Sequence, residues 1–203
     1  MNMWRELDVW MLGWIAPGNE ITALTPVAIW LAQWSSLFLL GVALYTLRCG
    51  SRRLPRAGLL LLSALLAQAL AHTLAHDWNT PRPFMLGLSA NHLAHGMRGG
   101  MPSAHASVMF ALGTALWLTG TRGWLAVLAA LPILLTAWAR IYTGAHFPLD
   151  VLVGAALGAT VAGLCTRLSW PRHRSAITSS RSAATMAVAA TGDGLRRWRR
   201  PAG

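Results

Sequence analysis

The sequence lacks lysine entirely and has few charged residues of any kind. Only 11% of its 203 residues are charged, whereas a soluble domain carries about 25%. With 55% apolar residues, this scarcity excludes an ordinary soluble enzyme and a disordered chain. The charges are also one-sided, since 17 arginines stand against six acidic residues. Arginine-rich membrane loops explain this excess better than nucleic acid does, so no nucleic-acid partner is expected.

Cysteines and carboxylates are too few for a metal centre or a disulfide framework. Cys49 and Cys165 allow at most one disulfide and form no metal-ligand cluster. The six acidic residues show no cluster that could hold Mg²⁺. We therefore expect no metal and no cofactor. A cleavable signal is not expected either, because acidic residues follow Arg5 and the first long apolar run begins at residue 21.

Five long apolar runs predict an all-α integral membrane protein. Each is close to the ~20 residues that cross a bilayer. Residues 1–20 are amphipathic and rich in Trp but too short to span, which predicts an interfacial helix. The whole is then a six-helix bundle with five transmembrane helices in residues 21–167. The tail, 168–203, is predicted to be largely disordered. The five runs cover residues 21–47, 57–75, 103–119, 124–140 and 149–166.

The distribution of arginine predicts the orientation in the membrane. The 48–56 loop, the 120–123 turn and the tail from Arg167 onward hold 13 of the 17 arginines. By the positive-inside rule this side is cytoplasmic, and the tail rests on anionic lipid headgroups. The N-terminus and the loops 76–101 and 141–148 then face outward. Both cysteines fall at cytoplasmic span ends, where thiols stay reduced, so no disulfide is expected.

Three polar clusters fall at the outer ends of the expected spans. In the first, Pro81 and Pro83 restrict the backbone around Arg82 and hold its guanidinium beside the membrane. A turn with a surface arginine is the plainer interpretation of this cluster alone.

The second cluster opens the third span with Pro102, Ser103, Ala104 and His105. Pro suits the first turn of a helix. The free N–H groups of Ser103, Ala104 and His105 are expected to point outward, where a helix N-terminus favours an anion. His105 adds a group that can give and take a proton near neutral pH. A helix cap with an interfacial histidine is the alternative.

The third cluster joins Arg140 to His146 and Asp150, which are four residues apart. A carboxylate on one ring nitrogen of a histidine fixes its tautomer and leaves the other nitrogen as a nucleophile. A buried polar pair between two spans is the alternative. Two arginines, a helix N-terminus and a histidine backed by Asp describe together a phosphate site, because arginine matches phosphate oxygens bidentately. The expected chemistry is phosphoryl transfer through histidine without metal.

These clusters resemble the motifs of the type 2 phosphatidic-acid phosphatase (PAP2) superfamily, whose membrane members are lipid phosphatases. The resemblance covers roughly residues 1–167. The short chain and the histidine-containing loop before the second motif look most like the bacitracin-resistance-type undecaprenyl-diphosphate phosphatases. The family patterns are KxxxxxxRP, PSGH and SRxxxxxHxxxD, which appear here as Ala75-x6-Arg82-Pro83, Pro102-Ser103-Ala104-His105 and Ala139-Arg140-x5-His146-x3-Asp150.

The resemblance implies a role for each matched residue. His146 would be the nucleophile that becomes a phosphohistidine, and Asp150 would orient it. His105 would protonate the leaving group and then activate water. Arg82, Arg140, Ser103 and backbone N–H groups, that of Ala104 among them, would hold the phosphate.

Three positions depart from the family pattern. The lysine of the first motif is Ala75, and its neighbour His76 is a possible auxiliary that supplies a proton or positive charge. Ala104 replaces the Gly of PSGH and adds only a methyl group. Ala139 replaces the first Ser of the third motif and removes a hydroxyl.

The remaining histidines favour other roles. His72 is expected to pack within span 2. His92 and His95 lie three apart in the outer loop, where packing, contact with a headgroup or a lid are the options; a metal would need more ligands.

The resemblance implies hydrolysis of undecaprenyl diphosphate to undecaprenyl phosphate at the outer face of a bacterial inner membrane. Other lipid phosphates remain open, namely phosphatidylglycerophosphate, phosphatidic acid or lipid A, as does a lipid phosphotransferase. A lipid or anion carrier and an inactive membrane scaffold are the alternatives of another class.

Overall fold

The computed structural model describes residues 3–49 and 52–169, and every regular element among them is helical. A short 3₁₀ helix, Pro83–Leu86, precedes α4. The expected tail lies outside the described residues, except that the last helix continues to Ser169. The helices are α1 (Met3–Ile15), α2 (Thr25–Cys49), α3 (Arg53–Trp78), α4 (Ala104–Leu118), α5 (Trp124–Tyr142) and α6 (Pro148–Ser169).

Four helices, α2, α3, α5 and α6, are long and apolar enough to cross a membrane. This confirms an all-helical, multi-pass membrane protein. The expected third span is α4, whose 15 residues reach about 22 Å at 1.5 Å per residue. That is shorter than the ~30 Å hydrocarbon core of a bilayer. By length and composition four of the described helices can cross a membrane, and the predicted count of five spans is not confirmed.

Helix α4 lies inside the bundle, where it packs against α3, α5 and α6. Two glycines of α6 allow the closest of these contacts. A Cβ on Gly154 would lie 2.6 Å from the carbonyl oxygen of Ser103, and one on Gly158 would lie 2.0 Å from that of Ser107. Small residues let helix backbones approach in this way. The start of α4 is thereby fixed against the start of α6.

The outward faces of the long helices are apolar, with exposed leucine and tryptophan side chains such as Trp30, Leu37, Leu61 and Leu152. The buried interior is built from small and aliphatic residues instead, Ala67 and Ala115 among them. An apolar exterior suits a lipid environment, because no hydrophobic force drives these side chains inward there.

Arg56 lies at the end of the bundle opposite the site described below. It counts toward the 48–56 loop in the arginine distribution, but the structure places it inside α3 and buries it. Its Nε donates to Thr119 Oγ1 at 2.9 Å, and its Nη2 donates to Thr121 Oγ1. Both its Nη atoms also reach helix-end carbonyls, those of Thr46 and Leu116, at 3.4 Å. Arg56 therefore ties α3 to the ends of α2 and α4.

The N-terminal helix is shorter than the predicted 1–20 and has two faces. Its outer face exposes large apolar side chains, among them Trp4, Trp10 and Trp14. Its inner face buries Asp8 and Leu12 against the bundle, where α1 contacts α5 and α6. This helix therefore packs on the same end of the bundle as the start of α6.

Candidate active site

One cavity of about 690 Å³ collects the helix ends that carry the three predicted clusters. The end of α3, the loop before α4, the start of α4 and the segment before α6 all contribute to its wall. Of the predicted site residues, the wall contains His76, Arg82, Ala104, His105 and His146. It also contains His95, for which the sequence left several roles open.

His146 is 3% exposed and has two neighbours on its Nδ1. The carbonyl oxygen of Gly100 lies at 2.9 Å, and Asp150 Oδ2 lies at 3.6 Å. Because a carbonyl only accepts, Nδ1 carries the proton and Nε2 keeps the lone pair. The main-chain oxygen of Gly100 thus fixes the tautomer that the sequence assigns to Asp150 alone. In the sequence, the Gly99-Gly100 pair is the signal that could have indicated a close approach of this backbone.

The carboxylate of Asp150 makes its shorter contact at the start of its own helix, α6, rather than with His146. Its Oδ2 accepts from the backbone N–H of Phe147 at 2.9 Å, which is the arrangement of an acidic side chain that closes the first turn of a helix. The expected i,i+4 approach of Asp150 to His146 is present, at a distance longer than a hydrogen bond.

Ser103 is fully buried and differs from the expectation in how its N–H is used. The sequence predicts a free N–H there, but in the structure it donates to the carbonyl oxygen of Asp150 at 2.9 Å. The reason is the close approach of α4 to α6. Its Oγ accepts from Ala106 N–H at 3.4 Å and caps α4. Ala104 and His105 follow in the first turn of that helix.

The Gly99-Gly100 pair lets the loop before α4 pass close to two other elements. A Cβ on Gly99 would lie 2.0 Å from the carbonyl oxygen of Ala75. A Cβ on Gly100 would lie 2.9 Å from Asp150 Oδ2 and 3.1 Å from Arg82 Cγ. Real Cβ atoms do not tolerate such distances, so the position of the Gly100 carbonyl depends on glycine at both positions.

Arg82 binds the main chain with all three of its nitrogens. Nε donates to the carbonyl of Arg98 at 3.0 Å, and Nη2 to that of Gly99 at 3.1 Å. Nη1 donates to the carbonyl of Ala145 at 3.0 Å and lies 3.1 Å from His146 Nε2. Since arginine only donates, Nε2 is the acceptor in this last contact. Arg82 therefore joins the loop before α4 to the segment that carries His146.

Arg140 is 3% exposed and only partly satisfied. Its Nη1 lies 2.7 Å from Nε2 of His95, whereas its buried Nε has no hydrogen-bond partner among the described residues. A buried cationic donor without a partner is expensive. An oxyanion is the ligand that would satisfy it best.

His95 belongs to the site because of this contact with Arg140. Asn91 holds its backbone in place: the Asn91 amide donates to the carbonyl of His95 at 2.8 Å and accepts from its N–H at 2.9 Å. The ring centroids of His95 and His146 are 6.4 Å apart. The signal in the sequence was a histidine in the outer loop, four residues after an asparagine.

Burial and two nearby arginines lower the pKa values of His95 and His146, which favours their neutral forms. Burial, then the positive charges of Arg82 and Arg140, lower the pKa of His146 well below its usual value. Burial and the same two arginines lower the pKa of His95 to about 4. A neutral imidazole is the form that attacks phosphorus or accepts a proton.

Two of the three departures from the family motifs, Ala75 and Ala139, have different surroundings. Ala75 lies on the cavity wall beside His76, whose side chain is 90% exposed with Nδ1 3.2 Å from Asp77 Oδ1. Ala139 is fully buried in an apolar cluster that includes Ala28 of α2.

Within residues 3–49 and 52–169, no group of three His, Cys, Asp or Glu side chains could hold a metal ion.

Comparison with known proteins gives consistent matches. The PAP2 superfamily matches residues 56–174. YbjG of Escherichia coli (strain K12), provisionally named an undecaprenyl-diphosphatase, is 32% identical over 111 residues, or 55% of this chain and 53% of YbjG. The bacitracin transport permease protein BcrC of Bacillus licheniformis is 29% identical over 144 residues, or 70% of each chain. The crystal structure of LpxE from Aquifex aeolicus superimposes with a TM-score of 0.67 at 26% identity, covering 79% of this chain and 95% of LpxE. The match to YbjG spans about half the length of that relative.

Proposed function

Because this chain belongs to the PAP2 superfamily, we propose that it is a membrane lipid phosphatase that acts through a phosphohistidine. One arrangement carries this proposal. His95 contacts Arg140, whose buried Nε has no hydrogen-bond partner among the described residues. The His95 ring lies 6.4 Å from that of His146, whose Nε2 keeps its lone pair. A nucleophile and an unsatisfied buried cation are the two parts that transfer of a phosphoryl group requires.

The reaction that we propose has two steps, with the roles that the family motifs imply for His146 and His105. His146 Nε2 attacks phosphorus, the bond from phosphorus to the leaving oxygen breaks, and protonated His105 gives its proton to that oxygen. Neutral His105 then removes a proton from water, whose oxygen attacks phosphorus. The N–P bond breaks, and inorganic phosphate leaves with His146 restored. Arg82 must release Nε2 before the attack, since its Nη1 now donates to that lone pair.

We expect two arginines and a main-chain N–H to hold the phosphate. Arg140 offers its free Nε, and Arg82 offers Nη1 once it leaves His146. The N–H of Ala104 adds a main-chain donor from the first turn of α4. The Ser103 N–H and Oγ are both used inside the fold, so Ser103 acts here through the cap of α4. Exposed His76 stands at the cavity wall, where it adds positive charge when protonated.

We propose undecaprenyl diphosphate as the substrate, with undecaprenyl phosphate and phosphate as products. A cavity of about 690 Å³ is larger than one phosphate group needs. It lies at helix ends, where a polyprenyl tail can remain in the bilayer. The name of YbjG supports the same substrate. Other lipid phosphates, namely phosphatidylglycerophosphate, phosphatidic acid or lipid A, and transfer to an alcohol in place of water, use the same chemistry.

The proposed location is a bacterial inner membrane, with five spans and α1 lying at the interface. The site then faces outward and the C-terminus is cytoplasmic, as the arginine distribution indicates. The arginine-rich tail would contact anionic headgroups there.

The test is phosphate release by purified full-length protein in detergent with EDTA. Undecaprenyl diphosphate, phosphatidylglycerophosphate and phosphatidic acid are offered in parallel, with His146→Gln as the inactive variant. We expect release from the diphosphate that is resistant to EDTA and is lost in His146→Gln, while lipid binding persists. Release that continues in His146→Gln would overturn the phosphohistidine.

BcrC is named a transport permease, which makes a carrier the second candidate. In a carrier, His146→Gln would shift affinity, and the wild type would move lipid between leaflets without releasing phosphate. Neither release nor transport would indicate an inactive scaffold. Measuring both activities on the same vesicles separates the three functions.

A further inference from the structure

The buried face of α1 reaches the segment that carries the catalytic groups. Asp8 is 4% exposed. Its Oδ1 accepts from the backbone N–H of Leu149 at 2.9 Å. Leu149 follows His146 by three residues and directly precedes Asp150. The contact joins residues 141 positions apart in the chain.

Each backbone N–H from His146 to Leu149 can be accounted for. His146 donates to the carbonyl of Arg140 at 3.2 Å, and Phe147 donates to Asp150 at 2.9 Å. Pro148 has no N–H, and Leu149 donates to Asp8. The first N–H groups of a helix have no partner within the helix, and a carboxylate satisfies them well. Among these contacts, Asp8 alone comes from outside the helices α5 and α6 and the turn that joins them.

A second contact from α1 reaches the same segment. The guanidinium of Arg5 lies 5.9 Å from the ring centroid of Phe147, within the range of a cation–π contact. Phe147 is itself almost completely buried. Two side chains of α1 therefore hold the two residues on either side of Pro148.

Burial of Asp8 is unfavourable by itself. Burial, and the nearby charge of Asp150, raise the pKa of Asp8 to about 6 even though the Leu149 N–H opposes the shift. Apolar docking of α1 requires no carboxylate there. The polar contact with Leu149 is therefore the feature that demands explanation.

We propose that Asp8 is a positioning residue of the active site. Its carboxylate holds the first turn of α6 and thereby fixes the backbone from which His146 and Asp150 project. The inference rests on the proposed phosphatase function, because it concerns the orientation of that reaction's nucleophile. Helix α1 then helps to position the catalytic residues, in addition to presenting an apolar outer face.

The test compares Asp8→Ala, Asp8→Asn and Glu6→Ala in the full-length protein. Asn keeps the acceptor oxygen, whereas Ala removes it, and Glu6 is an exposed acid on the same helix. We expect Asp8→Ala to lower kcat for the lipid diphosphate about tenfold with KM within about twofold, since misaligned reacting groups lose turnover first. The kcat of Asp8→Asn should lie within about threefold of the wild-type value. The kcat of Glu6→Ala should equal the wild-type value.

Hydrogen exchange on the peptide covering residues 143–152 provides a readout that needs no substrate. Loss of the cap should speed exchange of the Leu149 amide about tenfold in Asp8→Ala. Asn and the Glu6 variant should stay near wild type. This measurement separates the two proposals: a wild type without phosphatase activity refutes the function, while exchange still reports on the cap.

Two results would overturn the positioning role. One is unchanged kcat in Asp8→Ala. The other is an equal loss of kcat in the Asn and Ala variants together with unchanged exchange at Leu149, because the acceptor oxygen would then be irrelevant. Normal kcat per folded molecule counts as unchanged kcat even where the yield of folded Asp8→Ala is lower, and it leaves Asp8 with a structural role alone.

Discussion

Arg82 donates from Nη1 to Nε2 of His146 across 3.1 Å, and the same nitrogen donates to the carbonyl of Ala145. The arginine predicted to hold phosphate therefore also holds the nucleophile and its backbone. One guanidinium fork serves four acceptors here, which a single ammonium group cannot reproduce.

Replacing this fork tests its dual role. Arg82→Lys keeps the charge but loses the geometry, and we expect kcat to fall by about 10² to 10³. Thermal unfolding should begin at a lower temperature as well, because contacts to Arg98 and Gly99 are lost. Arg98→Lys is the control, since the contact described for Arg98 uses its main-chain oxygen. Near-normal kcat in Arg82→Lys would contradict this role.

Gly100→Ala tests the carbonyl that fixes the tautomer of His146. The new Cβ would meet Asp150 Oδ2 at 2.9 Å and Arg82 Cγ at 3.1 Å, so the loop must move and its carbonyl must leave Nδ1. We expect kcat to fall at least tenfold, as with other small misplacements of reacting groups. Gly96→Ala is the matched control, because nothing lies within 4 Å of a Cβ there. Equal kcat in the two variants would show that the carbonyl is dispensable.

The lowered pKa of His95 predicts a dependence of stability on pH. Its pKa is about 4 in the folded protein and about 6.5 in an unfolded chain. Between these two pH values His95 is protonated in the unfolded chain and neutral in the folded protein. The free energy of unfolding therefore decreases as the pH falls through this window.

His95→Gln removes this titration and isolates it from other groups. From pH 7 to pH 5, the Tm of the wild type should fall about 2 to 4 °C further than the Tm of His95→Gln. The exposed residue His76 gives the control, since His76→Gln should keep the wild-type difference. An identical pH dependence in wild type and His95→Gln would contradict the neutral, half-buried state of His95.

The two alanines at family motif positions should respond differently to restoration. Ala75 lies on the cavity wall, so Ala75→Lys would add a cation near the phosphate and lower KM about threefold or more. Ala139 packs against α2 with no exposed surface. Ala139→Ser should therefore leave KM and kcat within about twofold of the wild-type values, because its hydroxyl would be buried in this cluster. Steady-state kinetics on both variants check this, and a lower KM in Ala139→Ser alone would reverse the assignment.

Helices α2 to α6 could be predicted closely, because each follows a long apolar run. The run 124–140 corresponds to α5, Trp124–Tyr142, and the run 149–166 to α6, Pro148–Ser169. The expected count of five spans was less secure. Hydropathy predicts a span at 103–119, yet α4 is only 15 residues long and lies inside the bundle.

The candidate site was predictable where chemistry and spacing are local. His146 and Asp150 lie four residues apart in the chain, and Arg82 stands between two prolines. The free N–H of Ser103 was predicted wrongly, because nothing local shows that the Asp150 carbonyl comes within 2.9 Å of it. A helix start seen in isolation always appears to have free N–H groups.

The sequence by itself determined which groups are present: apolar helices long enough to cross a membrane, histidines that can carry a phosphoryl group, and arginines that can hold it. Only the tertiary structure decided how each group is used. The Gly100 carbonyl on His146, His95 on Arg140 and Asp8 on Leu149 each join segments 45 or more positions apart. Such contacts arise when helix packing brings distant loops to one end of the bundle. Local sequence patterns do not indicate which of these loops come into contact.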